Sequence, residues 1–429
     1  MASPHHGRRS RLERVAFFFT MAAATATLAC SPSHGDGDAE GVDTTSPGES
    51  GTAGDPVAVY TLSNTPVVSI GETTGQDEYL FGRIIAAAWL ADGSIAVADA
   101  QLDEIRLFSA TGEFLRRVGR KGHGPGEFGA LSLIAPMSSG GFAAYDSELR
   151  RITMFAIDGD LQRTWQVRCL DGDGSIAERM SCGRNPIGLT PEAALFFATD
   201  GPTRSPPPPY FEGPTQESSK MIFLYLASET GLTMVDSLPK ANLTWIESPG
   251  GRWFPFLELN AGEPKWASSG AALVYGFSTD NRVRVWETGT LTDIDVSMGG
   301  GRRESEENVK ALEDYDTHWY RGRDSVEWRG ALRKWLARRN GIDQPPLYGG
   351  IIADGAQRTW LRDYQLPDLT APDDSGWWTI FEYGGQPAGR IFVNVPGRIL
   401  SATQEAVMLR TESELGAQRL QIFGIVPRQ

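Results

Sequence analysis

Residues 84–128 read IIAAAWLADGSIAVADAQLDEIRLFSATGEFLRRVGRKGHGPGEF, and the punctuation of this stretch decides the fold. An apolar run over 84–90 meets an Asp92-Gly93 turn, and a second run over 95–98 meets a polar turn over 99–104. A third run over 105–108 meets Thr111-Gly112 before a fourth over 114–118. Each run is too short for a helix and rich in β-branched or aromatic residues, so the stretch predicts a four-stranded antiparallel meander. One meander cannot bury both of its own faces.

Repetition supplies the missing cover. A shift of 47 positions lays Asp99 on Asp146, Ile105 on Ile152, Phe108 on Phe155 and Gly112 on Gly159. Looser copies of the third run stand at 222–225, 283–286, 378–381 and 420–423, which with the first two make six units. Units of about 40–50 residues arranged radially are what a β-propeller requires.

The run Val97-Ala98-Asp99, then Ile105-Arg106-Leu107-Phe108, Gly112, and the glycine-rich 119–128 resembles bacterial six-bladed β-propeller lipoproteins related to NHL-repeat proteins. The resemblance spans most of residues 56–429 and implies an all-β, six-bladed propeller of four-stranded antiparallel blades. It does not carry a function, because propellers host many.

Composition agrees with one large domain. With 40 Lys and Arg against 54 Asp and Glu the chain has a net charge of -14, which argues against non-specific nucleic-acid binding. Twelve Trp and a 40% hydrophobic fraction supply a sizeable core.

The first residues serve targeting. Arg8, Arg9, Arg11 and Arg14 form a basic region, 15–28 an apolar one, and Thr27-Leu28-Ala29-Cys30 a small-residue cleavage site ending in cysteine. Residues 1–29 are therefore expected to be a signal peptide. By resemblance to bacterial lipoproteins, Cys30 would be acylated, and Ser31 after it would favour the outer membrane. An ordinary secreted protein with an incidental Cys30 is the alternative. Residues 30–55, poor in apolar side chains, should be a flexible tether that holds the 56–429 propeller at a membrane surface through lipid alone. In an oxidising compartment Cys169 and Cys182, flanking a Gly/Asp-rich loop, are expected to pair as a disulfide; two buried thiols are the alternative.

Strand parity sorts the loops. In a meander the 1–2 and 3–4 turns share one end, whereas the 2–3 turns and the connections between blades share the other. The short turns at 92–93, 111–112, 158–159, 230–231, 288–289 and 354–355 fall on the first end. Long segments at 201–219, 239–262, 299–346 and 363–376 fall on the second, the pattern of a plain base and a decorated mouth. Within 299–346, Val309, Leu312, Tyr315 and Trp319, then Trp328, Leu332, Trp335 and Leu336, stand at helical spacing and predict a two-helix insertion between blades four and five. The last unit stops one strand short, so 57–70 is expected to supply its outermost strand.

Reactive chemistry is sparse. Of five His, only His123 and His318 lie beyond the signal and tether, and no nucleophile elbow, HExxH or P-loop is present, so no catalytic residue is assigned. Asp99 and Asp146 end second strands toward the mouth; they either hold Ca2+ on oxygen ligands or cap their own polar turns. Arg120, Lys121 and His123 share the 119–128 loop, whose amides could hold an anion or merely shape the connection. Trp245, Trp253, Phe254, Phe256 and Trp266 offer an aromatic rim or buried packing.

Two function classes follow. One is a monomeric, non-catalytic, envelope-anchored binding or scaffolding protein with candidate ligand-face residues Asp99, Arg120, His123 and Asp146, no obligatory cofactor, and an unknown ligand or envelope partner. The other is a metal-dependent hydrolase, lactonase or lyase of the six-bladed type.

Overall fold

The computed structural model describes residues 58–168, 183, 185–200, 221–239, 243–247, 253–257, 262–296, 298, 346–365 and 373–428. The signal and tether, Cys30, Cys169, Cys182 and the expected helices of 299–346 lie outside these residues.

The described chain is a β-propeller, with a 3-10 turn at Asp77–Tyr79 as its helical element among the described residues. The first sheet runs in sequence order through Ile84–Trp89, Ile95–Asp99, Glu104–Phe108 and Phe114–Val118. The second repeats this with Leu131–Pro136, Phe142–Asp146, Arg151–Phe155 and Leu161–Gln166. Two further four-stranded sheets follow, Asn185–Leu189 to Gly231–Pro239 and Pro264–Ser269 to Thr290–Asp295. Every third-strand copy read from the sequence occupies a third strand, at Met221–Ser228, Arg282–Glu287, Gly376–Glu382 and Gln418–Pro427.

Burial explains the residue pattern. Second strands such as Ile95–Asp99 and Phe142–Asp146 are buried at every position because sheets cover both faces, so they read as unbroken apolar runs. Outer strands such as Phe114–Val118 and Leu161–Gln166 are largely exposed and correspondingly polar. The hairpin glycines Gly93, Gly112 and Gly159 have φ of 85°, 89° and 89°, values that L side chains rarely adopt, which is why the turns punctuate the sequence so legibly.

The core lies between successive sheets rather than within one. Leu107, Phe128, Phe142 and Phe155 fill the seam between the first and second. Ile70, Ile84, Val97, Phe108, Met408 and Leu420 fill the one between the last unit and the first, so the packing returns on itself.

Closure follows the expectation and adds to it. Val68–Ile70 pairs antiparallel with Leu420–Ile422, and Val59–Leu62 pairs antiparallel with the end of the same strand, Tyr60 opposite Pro427. Val59–Leu62 also runs parallel to Pro387–Val393, so Tyr348–Val393 and Arg398–Pro427 join in one nine-stranded sheet. The sequence did not announce that second pairing, nor the hairpin Leu243–Glu247 with Trp253–Leu257 inside the 239–262 connection.

Candidate functional site

Because the strands alternate in direction, the ends that lead into 201–219, 239–262, 299–346 and 363–376 share one end of the sheets, as parity required: Asp200 and Met221, Pro239 and Pro264, Asp295 and Tyr348, Asp363 and Gly376. Asp99, Asp146 and residues 119–128 stand at the same end. This is the connector end.

Asp99 is fully buried and accepts the amides of Gly82 at 2.9 Å, Arg83 at 3.0 Å and Gln101 at 3.0 Å. Asp146, also fully buried, accepts those of Gly129 at 2.7 Å, Ala130 at 3.2 Å, Glu148 at 3.0 Å and Leu149 at 2.9 Å. Each carboxylate ties its own 2–3 turn to the connector entering the same sheet. These bonds have the form of the turn-capping alternative. Among the described residues, no group of three or more His, Cys, Asp or Glu stands close enough to hold a metal.

Beside Asp99, the guanidinium of Arg106 is wholly buried. Its Nε donates to Glu104 Oε1 at 2.7 Å and its Nη1 to the carbonyls of Leu80 at 2.7 Å and Glu78 at 3.2 Å, over the ring of Phe81 and 3.5 Å from Asp99. In the second sheet the same task falls to Arg151, which donates to the carbonyls of His123, Gly124 and Glu127. Arginines at different register positions thus clasp equivalent connectors.

A second device joins neighbouring units. Leu131 donates its amide to Asp103 Oδ1 at 3.0 Å, Ile84 to Gln418 Oε1 at 2.7 Å, and Ile399 to Asp374 Oδ2 at 2.9 Å. In each case a side chain from the preceding unit, in its 2–3 connection for Asp103 and Asp374 and at the first residue of the third strand for Gln418, satisfies the amide of a residue beside the bulge in the next first strand. The latch crosses the seam at the connector end, which fixes where these turns sit relative to one another.

The glycine-rich loop is closed on itself. Gly122 donates to the Phe128 carbonyl, Phe128 to that of Arg120, and Gly124 to Glu127 Oε2 at 2.8 Å. Arg120 reaches Glu127 Oε1 at 2.7–2.8 Å. The amide of Gly124 and then the Arg120 guanidinium hold the Glu127 carboxyl below its usual range. The anion these groups surround is the chain's own Glu127. Lys121 and His123 are exposed, His123 lying 3.7 Å from Glu148.

A cluster of cations is the feature sequence reading missed. Arg398 and Arg410 are directly opposed across the first two strands of the last unit, and Arg410 donates to the Ile84 carbonyl across the seam at 2.9 Å. Arg83, beside Ile84, completes the group. Burial first, and then the charges of Arg398 and Arg83, pull the Arg410 guanidinium below its ordinary value, against Glu412 and Asp374. Asp374 is shared by Arg362 at 3.4 Å and Arg398 at 3.7 Å, while Glu412 accepts from Gln418. Residues 83, 398 and 410 meet only because the ring closes, so no local signal marks them.

No curated protein matches the chain. Among solved structures it is similar to a protein of Bacteroides fragilis described as exported (9% identity, TM-score 0.43, covering 87% of this chain and 100% of that one). A member of the DUF4221 family from Bacteroides vulgatus is 9% identical at a TM-score of 0.46, over 86% and 98%. Virginiamycin B lyase from Staphylococcus aureus is 8% identical at 0.36, over 81% and 97%. Likenesses this remote transfer no activity. A family model described as a 6-bladed beta-propeller matches residues 72–168, which hold the first two sheets and the connector leading into them.

Proposed function

We propose that this chain is an envelope-anchored binding or scaffolding lipoprotein, built as a six-bladed propeller related to NHL-repeat proteins, that engages its ligand or partner at the connector end without catalysing a reaction. The blade count takes the nine-stranded sheet as two units joined edge to edge by Val59–Leu62. One observation carries the functional reading: the long connections are anchored at one end of the sheets, whereas among the described residues the turns at the other end are short, too small to offer the roughly 800 Å² per partner of a standard interface.

The strand directions add to it. Tyr60 lies opposite Pro427 at the end of a third strand, so the chain enters the propeller at the short-turn end. Among the described residues no helix is long and apolar enough to cross a bilayer.

Two measurements test this. Hydrogen exchange in the presence of the partner should protect residues 119–128 and the strand ends around 200, 221, 363 and 376, and deletion of 299–342 should abolish binding while the propeller still folds. Protection confined to the Asp92-Gly93 and Asp158-Gly159 turns would place the interface at the wrong end. Tightly held Ca2+ or Zn2+ after exhaustive dialysis, with turnover that depends on it, would favour the hydrolase or lyase class instead.

Processing is tested separately. Mass spectrometry of the exported protein should find acyl mass on Cys30 and no alkylation of Cys169 or Cys182 until a reductant is added. The Cys30→Ser variant should leave the detergent phase for the soluble periplasm. Two thiols that label in the native protein, or a wild type already soluble, would contradict the disulfide and the anchor respectively.

A further inference from the structure

We propose that Arg83, Arg398 and Arg410 form a receptor for an anionic group, a carboxylate or a phosphate, at the connector end of the seam between the last unit and the first. This rests on the reading of that end as the binding face.

The fold does not require these cations. Ile84 and Ile399 each give an amide to a latch from the preceding unit and precede a bulge, so Arg83 and Arg398 hold the same register position on neighbouring first strands. In the second sheet that position is Ala130, preceding the latched Leu131, and the latch forms there equally well. Paired arginines are thus an addition to the scaffold.

Electrostatics points the same way. Like charges directly opposed across two strands are destabilising, as Arg398 and Arg410 are. In a chain whose net charge is -14 counter-charge is plentiful, yet the carboxylate nearest Arg398, Asp374, is divided between Arg362 and Arg398. Arg83 is exposed and has no ion-pair partner among the described residues, whereas its backbone is pinned by its N–H donating to Asp99 Oδ1 and by its carbonyl accepting from Ala100. Arg410 is held in place by the Ile84 carbonyl. Three guanidiniums on fixed backbone outnumber the two carboxylates that act on Arg410, Glu412 and Asp374, and present the planar donor forks that match carboxylate and phosphate oxygens.

The test is thermal unfolding of the purified protein titrated with inorganic phosphate and, separately, succinate, at constant ionic strength. Wild type should be stabilised saturably, and Arg83→Gln with Arg398→Gln should raise the half-maximal concentration by about tenfold, the loss expected for one or two charge-assisted hydrogen bonds. The exposed Arg83→Gln alone should shift it in the same direction, and Arg116→Gln, which removes an outer-strand pair with Asp160, should leave it unchanged. A stronger response to phosphate or to succinate assigns the group. No response in wild type, or equal responses in all variants, overturns the proposal. Anion binding lost in the variants while partner exchange protection maps to the short turns would keep this site and discard the binding-face reading. The reverse pattern would do the opposite.

Discussion

Asp99→Ala should destabilise the folded chain by about 4–6 kcal/mol, measured by urea unfolding followed through tryptophan fluorescence. The substitution orphans the amides of Gly82, Arg83 and Gln101 and strips the buried Arg106 of a carboxylate 3.5 Å away. A donor left unsatisfied costs up to about 1–3 kcal/mol, and a buried charge that loses every partner about 3–5 kcal/mol, of which only a part applies here because Arg106 keeps Glu104 at 2.7 Å. Relaxation and water entry keep the total below the sum. Asp146→Ala orphans four amides but no buried arginine ion-pair partner, and should cost about 3 kcal/mol. Removing both members of the first pair, Asp99→Ala with Arg106→Met, should recover part of the loss, because the buried guanidinium left with Glu104 alone disappears with its partner. A change below about 1 kcal/mol in Asp99→Ala would mean that the carboxylate is not the clasp its hydrogen bonds describe.

A chain beginning at Gly71 should fail to give a soluble monomer. That truncation removes Leu62 and Ile70, both fully buried, from the two seams that flank the last unit. It also strips the partner from Gln418–Pro427, leaving a ten-residue edge whose amides and carbonyls are free to pair with another chain. Burying two aliphatic side chains stabilises by about 3–6 kcal/mol, a large share of the 5–15 kcal/mol typical of whole domains. Size-exclusion chromatography should show aggregate or strand-exchanged dimer, and adding a peptide of residues 56–70 in trans should restore some monomer. A soluble, cooperatively unfolding monomer from the truncated chain would show that closure is dispensable.

Sequence alone determined what depends on neighbours along the chain. The 47-residue register, the Asp-Gly and Thr-Gly turns and the unpaired last unit located the strands and the closing strand, because turn chemistry and strand period are local properties. It also placed the long connections at one end, since parity in a meander needs no coordinates. What Asp99 and Asp146 do was left open between cation and cap, and that choice depends on which donors come within about 3 Å. The donors are Gly82 and Gly129, each 17 residues upstream, brought back by the connector. The glycine-rich loop looked able to hold an anion, and only the folded loop shows Glu127 filling it. The join between Val59–Leu62 and Pro387–Val393 and the convergence of Arg83 with Arg398 and Arg410 span more than 300 residues, and neither leaves a pattern in any window of the chain. Ring closure creates both, because it brings the first unit against the last, and contacts of that kind belong to the tertiary structure alone.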